Sequence, residues 1–226
     1  MITIVQRLAL LDLDNTLIDL DEAFGVWARE FTADHGLGSE GFAWLIAVGR
    51  KVPHRATFFA MVRERFGMVE PVDTLWARYR QRMPDLVSCR PEVLDGLTVL
   101  RRAGWRLGIV TNGMADNQLG KIQRTGLAEV VDGWAISGTE GVRKPDVRLF
   151  AIAASRCGAT IADGGWMIGD NPASDIIGGN QAGLYTILIN RDGATHDVTH
   201  SVTDVLQAIE LLLLCYHPSY GMCAPQ

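Results

Sequence analysis

The chain has 226 residues, a formal net charge of -5 at pH 7 and a pI near 5.5, with 48% hydrophobic and 21% charged residues. This length allows one or two domains with a substantial hydrophobic core, and the composition is that of an ordinary soluble globular protein. The acidic balance argues against non-specific binding to nucleic acid or to an anionic membrane, which needs a basic footprint.

Neither end of the sequence predicts a targeting or membrane segment. The stretch MITIVQRLALL is too short, and too soon interrupted by Asp12, to be a signal peptide. The late apolar run LLLLC is far below the ~18 residues of a membrane span. We therefore expect a cytoplasmic protein without a membrane partner, with YHPSYGMCAPQ as a loosely held tail.

The first predicted element is a strand at 8–13, because a short continuous apolar run is typical of a strand buried on both faces. This strand ends on Asp12 and Asp14, one residue apart. Burying two acids at the end of a core strand is costly unless something compensates their charge.

The next segment, at 19–87, is predicted to be all-helical. The stretches DEAFGVWAREFTADHG, RATFFAMVRERFG and VDTLWARYRQRM carry apolar residues at helical spacing with charges between them. Glycines and prolines separate these stretches, and none of them has a convincing strand pattern.

After Pro91 the pattern alternates between helices and strands. Predicted strands at WRLGIVT, VVDGWAIS, GWMIGD and LYTILIN are separated by helical patterns, and VTDVLQAIELLLL follows as a last helix. Such alternation is typical of a parallel sheet with helices on both faces. The first strand belongs to the same sheet, so the helical segment is an insertion between the first and second strands.

Polar residues lie at the ends of four of these strands. They are Asp12, Asp14, Asn15 and Thr16 at the end of the first, Thr111 and Asn112, followed by Gly113, at the end of the second, Lys144 in the loop after the third, and Asp170 and Asp175 at the end of the fourth. One such residue alone would more often be a turn or a helix cap. In open parallel sheets ligands bind outside the carboxyl ends of the strands, so four such groups together indicate a functional site.

In their order along the chain, DLDNT, TNG, the lysine of GVRKPD and GDNPASD resemble the four motifs of the haloacid dehalogenase-like hydrolase superfamily. The resemblance is to phosphatase-type members with a helical cap after the first strand, and it covers essentially the whole chain. It implies an α/β core with a Rossmann-like parallel sheet at 1–18 and 88–226, and a cap at 19–87.

The carboxylates of Asp12, Asp14, Asp170 and Asp175 would raise one another's pKa values through repulsion if they converged on one crevice. A divalent cation would remove this repulsion. Magnesium prefers oxygen ligands and typically takes one or two carboxylates. The resemblance implies Mg²⁺ on the carboxylates of Asp12 and Asp170 and on the backbone carbonyl of Asp14. It also implies that Asp12 is the nucleophile that forms an aspartyl-phosphate and that Asp14 is the general acid and then the general base.

The remaining site residues are expected to hold the phosphoryl group. The Thr111 hydroxyl and backbone N–H groups around Leu13 and Asn112 can bind its oxygens, and Lys144 supplies a positive charge beside them. Asp175 is expected to orient Lys144 or a metal-bound water. The expected reaction is hydrolysis of a small phosphorylated metabolite.

Other reactions stay open at this point. A phosphomutase would return the phosphoryl group to the substrate, and a module without turnover would keep only the fold. Dehalogenating members lack an aspartate at the second position of the first motif, because a halide needs no proton, so Asp14 disfavours that activity. Asn15 also departs from the glycine of the DGT and DGV motifs common in related enzymes.

By the same resemblance, the cap closes over the crevice and selects the leaving group. In the cap, GRKVPHRATFF carries Arg50, Lys51, His54 and Arg55 within six residues. A charged loop of this kind is usually a solvated surface, and the alternative is a contact for a polar leaving group. Trp27 lies in an apolar stripe at helical spacing, which indicates that it packs in the core of the cap.

Overall fold

The computed structural model describes residues 6–52, 54–191, 198 and 200–215, so the predicted C-terminal tail lies outside the described residues. The chain divides into two compact units. One comprises Met1–Asp19 with Ser88–Gln226, and the other comprises Leu20–Val87.

The larger unit contains one six-stranded parallel sheet with the strand order β3-β2-β1-β4-β5-β6. Its strands are β1 (Leu8–Leu11), β2 (Arg106–Thr111), β3 (Gly133–Ile136), β4 (Trp166–Gly169), β5 (Tyr185–Ile189) and β6 (Ser201–Val202). The α/β architecture with a parallel sheet, predicted from the sequence, is confirmed.

This unit also contains helices and short helical turns. They are α5 (Pro91–Arg102), α6 (Ala115–Arg124), α7 (Leu127–Val130), α8 (Ser137–Glu140), α9 (Val147–Arg156), a 3₁₀ turn at Ile161–Asp163, a π-helical turn at Pro172–Ile177, α10 (Gly178–Gln181) and α11 (Val205–Cys215). The elements of the other unit are the helices α1 (Leu20–Asp34), α2 (Gly38–Lys51), α3 (Arg55–Phe66) and α4 (Val72–Leu86).

The position of β1 explains its composition. It pairs with β2 on one side and with β4 on the other, and all four of its side chains are buried. Leu8 and Leu10 belong to a core cluster that includes Leu149 and Phe150 of α9. A Cβ on Gly108 would lie 2.8 Å from Leu10 Cδ2, which indicates how closely the layers pack.

The structure differs from the predicted elements in several places. The strand β1 ends at Leu11 because the chain turns immediately after Asp12. The segment after Asn171 forms a π-helical turn and then α10, where one helix was predicted. The sequence reasoning also missed the short strand β6 and did not identify α2 as a separate helix. Among the described residues, no helix is both long and apolar enough to span a bilayer.

The unit Leu20–Val87 has an aromatic core of its own. Trp27 is 5% exposed, and its ring centroid lies 5.0 Å from those of Phe31 and Tyr79 and 5.7 Å from that of Phe59. The pairs of Trp27 with Phe59 and Tyr79 are edge-to-face, and such pairs contribute beyond their buried area. The interpretation of Trp27 as a packing residue agrees with these contacts.

Arg55 belongs to this aromatic core rather than to the exposed loop. Its guanidinium carbon lies 5.0 Å from the centroid of Phe24, 5.6 Å from that of Phe58 and 5.6 Å from that of Tyr79. Its Nη1 also donates to the carbonyl of Gly49. Arg50, Lys51 and His54, the other members of the basic cluster, are exposed.

We expect Arg55→Ala to lower the free energy of unfolding by about 1–2 kcal/mol, because cation–π contacts of a partly desolvated guanidinium reach about that value. The measurement is urea unfolding followed by tryptophan fluorescence. The exposed Arg50 is the matched control, and Arg50→Ala should stay within about 0.5 kcal/mol of the wild type. Equal effects of the two substitutions would contradict a packing role for Arg55.

Candidate active site

The parallel sheet brings the predicted polar residues to one edge. The strands β1, β2 and β4 are neighbours and run in the same direction, so their carboxyl ends lie side by side. Asp12 follows β1, Thr111 ends β2 and Asp170 follows β4. The chain runs from β1 to β2 on one side and reaches β4 on the other, which makes this edge the switch point where open α/β sheets bind ligands.

The turn after β1 depends on the conformation of Asn15. The carbonyl of Leu13 accepts hydrogen bonds from the N–H groups of Leu17 at 3.0 Å and Ile18 at 3.1 Å. Asn15 has a φ of 57°, in the left-handed region. Asparagine tolerates this conformation better than other non-glycine residues. Asparagine can therefore stand where the related motifs have glycine.

Lys144 lies between two buried carboxylates. Its Nζ is 2.6 Å from Asp12 Oδ1 and 2.7 Å from Asp175 Oδ1, and its side chain is 1% exposed. Burial would lower the pKa of Lys144, but the two aspartates outweigh burial and raise it. Burial raises the pKa of Asp12 well above its usual value, Lys144 opposes that shift, and Asp175 and Asp170 add to it.

Asp175 is the most enclosed of the acids. In addition to Lys144, its Oδ1 accepts from Ser174 Oγ at 2.9 Å, and its Oδ2 accepts from the N–H of Asn171 at 3.0 Å. A Cβ on Gly169 would lie 2.2 Å from Asp175 Oδ2. The glycine at the end of β4 therefore leaves the space that this carboxylate fills.

We expect Gly169→Ala to destabilise the protein by about 1–3 kcal/mol, the usual cost of overpacking a close-packed interior. It should also lower activity, because Asp175 must move and Lys144 loses its support. Thermal unfolding and turnover measure the two effects. Gly25→Ala is the control, since a Cβ there meets nothing within 4 Å and should stabilise α1 by about 0.5–1 kcal/mol. Unchanged turnover in Gly169→Ala would contradict the conclusion that the position of Asp175 beside Lys144 matters for activity.

The carboxylates of Asp12, Asp170 and Asp175 form a candidate metal site. One oxygen from each lies within 4.8 Å of the others. Among the described residues, these three carboxylates and the ammonium of Lys144 leave an excess of two negative charges, which one divalent cation would balance. Burial, and then repulsion from Asp175, raise the pKa of Asp170 to about 6.

The hydrogen bonds distinguish these three acids as possible ligands. Asp175 already accepts bonds from Lys144, Ser174 and Asn171, so most of its lone pairs are engaged. Asp12 and Asp170 are therefore the better candidates for the two carboxylates that Mg²⁺ typically takes. The residues present fit such a cation.

Two residues at the end of β2 have different partners. The Asn112 side chain clamps the backbone of Lys144: its Oδ1 accepts from the Lys144 N–H at 2.9 Å, and its Nδ2 donates to the Lys144 carbonyl at 3.1 Å. Thr111 is buried, and its hydroxyl accepts from Gln118 Nε2 at 2.7 Å. The side chain of Asn112 thus fixes the lysine loop, and a phosphoryl contact by Asn112 would use its backbone.

The Asp14 carboxylate is separate from the acidic cluster. Its Oδ1 lies 2.7 Å from Lys121 Nζ, and its Oδ2 accepts from Gln118 Nε2 at 2.9 Å. The sequence reasoning assigned no role to Gln118 or Lys121. The only local signal was a lysine and a glutamine on one face of α6, a pattern that many exposed helices share.

A family model matches most of the chain, and several curated proteins resemble it over a part or most of their length. Residues 6–183 match the family model described as haloacid dehalogenase-like hydrolase. The chain is 37% identical over 114 residues to a phosphoserine phosphatase of Thermus thermophilus, a match that covers 50% of this chain and 44% of the relative. It is 29% identical to a ribulose-1,5-bisphosphate 5-phosphatase of Halopiger xanaduensis, over 86% of this chain and 90% of the relative.

A solved structure also resembles the chain. The magnesium-bound HAD-hydrolase YfnB of Bacillus subtilis superposes with a TM-score of 0.76 at 22% identity, over 92% of this chain and 98% of that one. At this identity the likeness concerns the fold alone. The likeness is consistent with the α/β fold described above.

Proposed function

We propose that this chain, which belongs to the haloacid dehalogenase-like hydrolase family, is a magnesium-dependent phosphomonoester hydrolase that acts through an aspartyl-phosphate on a small phosphorylated metabolite. The observation that carries the proposal is the buried contact of Asp12 with Lys144, beside Asp170, at the carboxyl edge of the sheet. Several curated relatives are named as phosphatases of small metabolites, which supports the proposed substrate class. A cytoplasmic location remains part of the proposal.

In the first step, a carboxylate oxygen of Asp12 attacks the phosphorus and the ester bond to the leaving oxygen breaks. Asp14 donates its proton to that oxygen, which departs as an alcohol. In the second step, water attacks the phosphorus and gives a proton to Asp14. The bond between phosphorus and Asp12 breaks, and inorganic phosphate and the free carboxylate result.

Lys144 keeps positive charge beside Asp12 throughout. The Thr111 hydroxyl and backbone N–H groups around Leu13 and Asn112 would hold the phosphoryl oxygens, since phosphoryl transfer depends mainly on positioning and charge stabilisation. Asp12 and Asp170, with the backbone carbonyl of Asp14, would hold Mg²⁺. When bound, the cation supplies positive charge that neutralises the phosphoryl oxygens.

The unit Leu20–Val87 is proposed to be the cap that selects the leaving group. The exposed side chains of Arg50, Lys51 and His54 are the candidates for polar contacts with it, whereas Arg55 packs on aromatic rings of its own unit.

The test is phosphate release from a panel of phosphoserine, sugar phosphates, nucleotides, phosphoglycolate and 4-nitrophenyl phosphate, with and without magnesium. We expect turnover with magnesium and its loss with excess chelator, since the acidic cluster carries uncompensated negative charge without a cation. Adding calcium instead should not restore the rate, because its larger, more flexible coordination shell suits the site less well.

Two results would contradict the proposal. Full activity in excess chelator would exclude the cation, and no phosphate release from any ester of the panel would exclude the hydrolase. Formation of an isomeric phosphoester in place of free phosphate would identify the phosphomutase alternative.

A further inference from the structure

Two buried polar side chains of α6 contact the Asp14 carboxylate. Lys121 and Gln118 are each 1% exposed, and they donate to different oxygens of Asp14. They are three residues apart, so they lie on the same face of the helix. The carboxylate is therefore held at both of its oxygens, in one orientation.

The arrangement also joins Asp14 to Thr111. The Gln118 amide nitrogen donates to Asp14 Oδ2 and to Thr111 Oγ1 at 2.7 Å, which uses both of its hydrogens. Gly113 leaves room for this side chain, since a Cβ there would lie 2.7 Å from Gln118 Cγ. One amide thus connects two residues that lie at the ends of different strands.

Stability alone does not explain the buried lysine. A lysine is almost never fully buried unless it is paired, and a buried ion pair is often no more stabilising than apolar side chains of similar volume. Within the described part of the chain, Asp14 is the acidic group that Lys121 contacts. The pair is better explained by what it does to Asp14.

We infer that Lys121 and Gln118 are positioning residues that hold the Asp14 carboxyl where it can transfer a proton to the leaving oxygen. The inference rests on the proposed function, in which Asp14 is the general acid. A misplacement of about 1 Å can cost ~10²-fold in rate, so a donor that keeps Asp14 in one orientation affects the reaction without touching the substrate.

The test compares two esters that differ in their need for an acid. Phenoxide is a basic leaving group that benefits from a proton, whereas 2,4-dinitrophenoxide departs without one. With magnesium present, Lys121→Met should lower kcat/KM by about 10- to 100-fold for phenyl phosphate and by less than about 3-fold for 2,4-dinitrophenyl phosphate. Lys121→Arg, which keeps a cationic donor, should recover most of the phenyl phosphate activity.

Asp14→Asn is the reference, and it should lower kcat/KM for phenyl phosphate by about 10²–10⁴-fold. In that background Lys121→Met should have little further effect, because the group that it positions is already lost. The buried Ile122 on the same helix provides the structural control, and Ile122→Val should leave the ratio of the two esters at its wild-type value. Circular dichroism checks that each variant is folded.

Equal losses of Lys121→Met on both esters would mean that the lysine acts on the phosphoryl group or on folding, and would overturn the inference. The inference would also be overturned if the losses caused by Asp14→Asn and Lys121→Met multiplied in the double variant, or if Lys121→Met alone caused no loss. Two other results would contradict the proposed function itself. The wild-type protein would release no phosphate, or Asp14→Asn would lower kcat/KM for both esters by the same factor.

Discussion

Asp12→Asn is expected to abolish phosphate release, with a loss of at least about 10⁴-fold, since removing a catalytic nucleophile typically costs that much or more. An amide is a poor nucleophile and a poor ligand for a hard cation. The measurement is single-turnover and steady-state phosphate release with saturating magnesium.

The same substitution separates catalysis from folding. Asparagine has nearly the shape of aspartate, and it reduces the negative excess of the acidic cluster from two charges to one. The thermal midpoint without magnesium should therefore not fall far below that of the wild type. Mass spectrometry of acid-quenched wild-type protein should also find phosphate on the peptide that contains Asp12. A near-native rate in Asp12→Asn would exclude the covalent mechanism.

Lys144→Met is expected to reduce both activity and stability. The ammonium contacts two buried carboxylates at 2.6 and 2.7 Å, and its removal takes away the positive charge that these carboxylates contact. Breaking a buried ion pair on one side typically costs about 3–5 kcal/mol. Turnover should fall by about 10²–10³-fold, the usual loss when a preorganised charge is removed from a reacting group.

Magnesium provides a further measurement on this variant. The negative excess rises from two charges to three when the lysine is lost, so the cation should raise the thermal midpoint of Lys144→Met by more than that of the wild type. Arg143, an exposed cation in the same loop, is the matched control, and Arg143→Met should behave like the wild type in both assays. A stable and fully active Lys144→Met protein would refute the role of the lysine.

Local sequence patterns were sufficient to predict the sheet and its polar edge. Alternating helical and apolar segments give a parallel sheet because each crossover helix returns the chain to the same end. The residues after β1, β2 and β4 must then share an edge, whatever the details of packing. Asp12, Thr111 and Asp170 are therefore expected near one another from the sequence alone, and their roles are predictions.

Some smaller features of the fold did not follow from local sequence patterns. The short strand β6 was missed because two residues carry no periodic pattern. The sequence groups Arg55 with its charged neighbours, because charged side chains in a loop are usually exposed to solvent. Its position over three aromatic rings depends on how α1, α3 and α4 pack, which no single segment encodes.

The surroundings of Asp14 were decided by tertiary structure alone. Gln118 and Lys121 lie 104 and 107 residues from Asp14 in the chain, and their helix has an ordinary amphipathic sequence. A lysine is usually exposed, so nothing local indicates that this one is buried against a carboxylate. The sequence by itself determined which chemical groups stand at the strand ends, because that depends on short-range periodicity. Which donors orient each group depends on long-range packing, and only the folded chain specifies it.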